Sequence, residues 1–121
     1  MIRPDHLFIN DTGDLYDTRI NEWWNKPPLR EKFDWHHKNI RNVSQLKATL
    51  RAGPHTRLGG YPLYFITSDY AVLSFKTVRA EFRIIANSIK NKINDGWNVC
   101  GCEINLEDKH LICEYSNERI K

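Results

Sequence analysis

Cys100, Cys102 and Cys113 are the only thiols in the 121-residue chain. Cys113 is followed by Glu114, Tyr115 and Ser116, a C-x-x-S stretch that reads as a zinc knuckle whose second ligand is serine. Zinc asks for four donors in tetrahedral array. Cys100 and Cys102 stand two apart and Cys113 lies further on, so sulfur supplies three donors at best. Three roles are open to these thiols: metal ligand, reactive nucleophile, or small apolar core residue whose pKa is raised by burial.

Other chemistry-bearing groups form no set. The histidines (His6, His36, His37, His55 and His110) sit in no motif, and His36-His37 are adjacent, so their rings diverge on a helix. Asp11, Asp14 and Asp17, and the pair Glu107/Asp108, fall among turn formers, where Asp serves backbone geometry. Gly59-Gly60 lacks the G-x-x-x-x-G-K spacing of a phosphate loop. With no nucleophile, base and orienting group in view, the expectation is a protein that is not an enzyme.

Binding is better represented. Trp23, Trp24, Phe33 and Trp35 interleave with Lys26, Arg30, Lys32, Lys38 and Arg41. Exposed Trp beside Arg is the composition of interface hot spots, and also of single-strand stacking surfaces. Residues 26–57 carry +6, and the rest of the chain −3. Such an excess can face phosphates, which makes Arg41, Lys47, Arg51 and Arg57 candidate nucleic-acid contacts.

The elements that position these groups follow from pattern. Residues 6–19 read as a hairpin around Gly13. A short helix follows Pro27-Pro28, with Leu29, Phe33, Trp35 or His36, and Ile40 at helical spacing; a second, capped by Ser44, runs to Gly53. "LYFIT" and "AVLSF" read as strands. "TVRAEFRIIANSIKNKI" reads as one amphipathic helix with Val78, Phe82, Ile85, Ile89 and Ile93 on a stripe, its start capped by Ser74 or Thr77. "NVCGCEINL" and "HLICEY" read as a final hairpin turning at Asp108-Lys109. In that register Ile104 faces Cys113 and Cys102 faces Tyr115. Alternation then sends Cys100, Cys102 and Cys113 together toward the helix-covered face, with His110 on the opposite face. The core role for the thiols is the one this register favours.

The fold class expected is therefore α+β: an antiparallel sheet in a ββαββ half, residues 44–121, covered by one amphipathic helix. An irregular aromatic-rich segment, residues 1–43, contributes a hairpin and short helices to the same single domain. No run of 18 apolar residues occurs, the start "MIRPDHLFIN" lacks the order of a secretion signal, and three cysteines make a poor disulfide framework. The expected location is the cytoplasm.

"LRAGP", "GGYPLYFITSD", "AVLSF", "NDGW", "CEIN" with "ED" after it, and "CEYSNERI" agree in order and spacing with a family of small phage and mobile-element proteins, which residues 44–121 resemble. In some members C-x-x-C pairs occupy the strand-to-helix turn and the C-terminal knuckle, in the manner of a zinc ribbon. The resemblance places those four positions on Ser74, Thr77, Cys113 and Ser116. It implies a degenerate site, no metal and no other cofactor, with the hydroxyls capping the helix and its turn. It also implies an accessory role: binding and inhibiting a host enzyme that processes nucleic acid, as anti-CRISPR and antirestriction proteins do. Trp23, Trp24, Trp35, Arg30, Lys32 and Lys38 are the expected partner contacts. The alternative is a small nucleic-acid-binding module using residues 26–57.

Overall fold

A computed structural model describes residues 6–57, 60–106 and 108–121, with Trp35 and His36 described in the backbone alone. Gly59 of the glycine pair and Glu107 of the acidic pair lie outside the described residues. Helices and antiparallel strands make an α+β fold. β1 (Leu7–Ile9) and β2 (Leu15–Asp17) form a hairpin, with Leu7 opposite Asp17, Phe8 opposite Tyr16 and Ile9 opposite Leu15. Its turn is built by one side chain: Asn10 Oδ1 accepts from the backbone N–H groups of Thr12 (3.1 Å) and Asp14 (2.9 Å). Gly13 sits there at φ 82°, a conformation side chains disfavour.

Trp23–Asn25 make a single 3-10 turn. It stops because Pro27 disfavours helical backbone in the residue before it, and Lys26 is extended at φ −109°, ψ 158°. α1 (Phe33–His36) is one turn long. α2 (Val43–Ala52) begins at Asn42, not at Ser44: Asn42 Oδ1 accepts from Gln45 N–H at 2.9 Å, and Gln45 Oε1 accepts from Arg41 N–H at 2.6 Å. Two otherwise orphaned donors are thereby satisfied, as in a capping box.

β3 (Leu63–Thr67) is the centre of a three-stranded antiparallel sheet, order β4-β3-β5, with β4 (Val72–Leu73) and β5 (Val99–Ile104) on its flanks. The "AVLSF" strand is only two residues long, because Ser74 already caps the next helix, its Oγ accepting from Thr77 N–H at 3.1 Å. The long helix is kinked. α3 (Phe75–Ala80) and α4 (Phe82–Lys90) meet at Glu81, whose ψ of 24° departs from the helix. Of the expected stripe, Val78, Ile85 and Ile89 are buried, Phe82 is half-buried and Ile93 is exposed. One apolar core runs from Leu7 to Ile120, and the Phe65 and Phe75 rings meet at 4.5 Å where α3 crosses the sheet.

The final hairpin does not form. β5 pairs with β3, Phe65 opposite Cys102, and residues 111–115 make no strand with it. Those residues instead fold back on the last turn of the chain, through a bridge between Ile112 and Arg119, and Glu114 N–H donates to Val72 O at 2.8 Å. Tyr115, expected inside, is exposed and meets the Trp97 ring edge-on at 5.1 Å. The expected alternation puts Asn105 on the outer face, yet it is buried, and its Nδ2 donates to Asp108 O and Ile120 O. A carboxamide there satisfies carbonyls that a strand would have paired.

Alternation also fails within β5. Thr67 pairs with Val99 and Ile66 with Gly101, so Cys100 is the extra residue of a bulge. Val99, Gly101 and Cys102 are buried while Cys100 is exposed. Gly101 permits a close approach on the far edge of β5: a Cβ at this position would lie 2.7 Å from Lys38 O. Ile40 N–H donates to Cys100 O at 2.9 Å in the same place, which ties the N-terminal third of the chain to the sheet.

Candidate functional site

The register of the first hairpin turns Leu7, Ile9 and Leu15 inward and Phe8 and Tyr16 outward. Trp23, delivered by the 3-10 turn, packs on both outward rings, at 5.4 Å from Phe8 and 5.6 Å from Tyr16. Trp24 stands edge-on to Trp23 at 5.9 Å and 84°. Trp23 is therefore half-covered, whereas Trp24 is 63% exposed and Phe8 43%. Four aromatic side chains make one outward surface, too polar at its tips and too open to serve as core. Phe8 and Tyr16 were missed in the sequence. Period-two alternation within "LFI" and "LYD" is the signal that finds them.

The remaining expected contacts disperse. Lys32 is exposed at φ 51°, its N–H donating to Asp14 Oδ1 at 2.8 Å; Lys38 is half-buried. The side chain of Trp35 lies outside the described residues. Arg30 is no surface contact: it is 5% exposed, because Leu29 and Arg30 bridge β2 to the loop after α2. Its burial disfavours the cationic form and lowers its pKa. Arg41, Lys47 and Arg51 are exposed, the last two one turn apart on α2, while Arg57 holds Glu31 in an open ion pair at 3.0 Å.

The thiols separate into three environments. Cys102 is fully buried opposite Phe65, and burial pushes its pKa strongly up. Cys100 is exposed at the bulge, with partial desolvation of its sulfur raising the pKa. Cys113 is 0% exposed but not the inert core thiol expected. Burial pushes it up, yet hydrogen bonds from the Ser116 and Thr77 hydroxyls and from the backbone at Ser116 and Ser74 outweigh that and bring it down to about 6. The structure thus brings the Thr77 and Ser116 hydroxyls and the Ser74 backbone to the Cys113 sulfur. Ser74 caps α3, and Ser116 Oγ accepts from Glu118 N–H at 3.3 Å. Among the described residues no group of three or more His, Cys, Asp or Glu side chains could hold a metal ion.

His37 is buried with Nδ1 2.8 Å from Thr49 Oγ1, and that hydroxyl donates to Gln45 O at 2.9 Å, so Nδ1 is the donor of the pair. His55 and His110 are exposed. Asp17 is buried beside Arg19 at 3.1 Å; burial raises its pKa, and the hydrogen bonds and charge of Arg19 more than reverse this. Among the described residues no helix is long and apolar enough to cross a membrane. Compared with family models, curated proteins and solved structures, the chain matches none of them.

Proposed function

We propose that the protein acts by stoichiometric contact, docking the aromatic face of its N-terminal hairpin onto a host protein that processes nucleic acid and inhibiting it. The observation that carries this reading is Trp24, 63% exposed and braced edge-on against a half-covered Trp23. A rigid aromatic held in the open supplies contact area with little ordering cost, which is the chemistry of a binding hot spot. The lysine that follows, Lys26, is exposed and adds a positive charge suited to an acidic partner surface. Resemblance of residues 44–121 to small mobile-element proteins supports the same accessory role.

Capture from nuclease-treated host lysate tests the reading. A nucleic-acid-processing enzyme retained in equimolar amount, and inhibited on addition of the purified protein, supports it. No retained protein, together with direct DNA or RNA binding by the purified chain, overturns it.

One observation favours a second reading. Lys47 and Arg51 project from the same exposed face of α2, with Arg41 just before it. As phosphate contacts they would give a linear loss of log affinity with log salt. Oligonucleotide titration at two salt concentrations distinguishes the readings.

A further inference from the structure

Buried guanidinium groups are normally matched by a carboxylate, since an uncompensated buried cation is costly. Arg30 has no such match among the described residues. Its Nη2 donates to Gly53 O at 2.6 Å, and its Nε, fully enclosed, has no hydrogen-bond partner among the described residues. The same side chain lines a cavity of about 410 Å³ between the residue 29–32 segment, α2 and the loop after α2. Lys32, His37, His55 and Arg57 also line it, and the single acid, Glu31, is engaged by Arg57. Three formal cations and two imidazoles therefore converge on a space with one carboxylate, already paired.

We propose that this cavity binds a phosphate monoester, with the Arg30 guanidinium as its anchor. The planar fork of arginine matches phosphate oxygens, and the local excess of positive charge suits a dianion better than a carboxylate. The volume exceeds what bare phosphate fills and falls within the range of small-ligand pockets. Leu29, Ala48 and Ala52 provide an apolar wall for the attached group, such as a sugar or base. The ester is carried either by a free nucleotide or by the 5′ end of a nucleic acid. The site shares no residue with the aromatic surface and stands or falls independently of it.

Titration of the full chain with adenosine 5′-monophosphate, inorganic phosphate and adenosine, followed by calorimetry at fixed ionic strength, tests the site. Adenosine 5′-monophosphate should bind at least about tenfold more tightly than adenosine, as charge-assisted contacts to phosphate require. Arg30→Met, which keeps bulk and removes charge, should lose about tenfold or more of that affinity while melting as wild type or higher. Should Arg30→Met fail to fold, Lys32→Ala/Arg57→Ala takes its place, with a loss of about threefold or more expected. A 5′-phosphorylated oligonucleotide that outcompetes its 5′-hydroxyl twin assigns the ester to a strand end; equal competition with strong mononucleotide binding assigns it to a free nucleotide. Equal binding of nucleotide and nucleoside, or unchanged nucleotide affinity in the folded variant, overturns the proposal.

Discussion

Thr77 Oγ1 lies 3.4 Å from Cys113 Sγ, a contact between residues 36 positions apart. It joins the first turn of α3 to the C-terminal loop, and Ser116 and the backbone at Ser74 complete the set of donors around the same sulfur. A buried thiol would ordinarily resist ionisation, and these donors reverse the preference.

The pH dependence of stability should report this. The folded pKa of Cys113, about 6, lies below the ordinary value of 9.0, so the unfolded chain binds more protons between those limits. Stability rises with pH across that window and is lost as pH falls through 6. The upper bound of the contribution is about 4 kcal/mol. Melting from pH 5.5 to 9 should show a steeper rise for wild type than for Cys113→Ala, and Thr77→Val should flatten it; parallel curves would contradict the ionised thiol.

Thiol labelling should count one fast cysteine, not three slow ones. Cys100 is exposed at the bulge, whereas Cys102 and Cys113 are fully buried. A disulfide reagent should therefore release one equivalent rapidly from native protein and two more only on unfolding. Cys100→Ser should abolish the fast phase.

Placing sulfur around Cys113 should create a metal site. The hydroxyls of Thr77 and Ser116 and the backbone of Ser74 already meet one sulfur, and thiolates at the three positions would give a four-sulfur set with the donor chemistry zinc prefers. The Ser74→Cys/Thr77→Cys/Ser116→Cys variant should bind Co²⁺ with tetrahedral d–d absorbance and melt higher with Zn²⁺ present. A variant that folds but binds neither ion would show that the positions surround Cys113 without tetrahedral geometry.

Gly101→Ala should be strongly destabilising. Its Cβ would meet Lys38 O at 2.7 Å, and backbone on both sides leaves little room to shift. A loss of about 2 kcal/mol or more is expected by denaturant unfolding, with the Ile40 amide losing exchange protection.

The sequence disclosed the class of fold because the first hairpin, α2, β3 and the apolar stripe at Val78, Ile85 and Ile89 each carry their own period. It failed where one residue changes parity. Cys100 is extra in β5, and no local pattern marks a bulge whose cause is the approach of Lys38 from sixty positions upstream. The last hairpin failed for a related reason. β5 finds its partner in β3, thirty-odd residues before it, while Asn105 and the turn at residues 113–118 close the C-terminal loop upon itself. The aromatic surface was half legible: adjacent tryptophans announced exposure of one, but Phe8 and Tyr16 join them only once the hairpin register is set. Arg30 was misplaced because charge suggests surface, and only the pairing of Leu29 and Arg30 with Leu15 of β2 draws it inside.

The affinity of the captured partner for wild type and for Trp24→Ala is the most direct test. Trp24 is mostly exposed, so its removal should leave the melting temperature nearly unchanged. The account predicts that affinity falls by about thirtyfold, the loss of a hot-spot aromatic at roughly 2 kcal/mol. Affinity within about twofold of wild type, in a variant that folds normally, would contradict it.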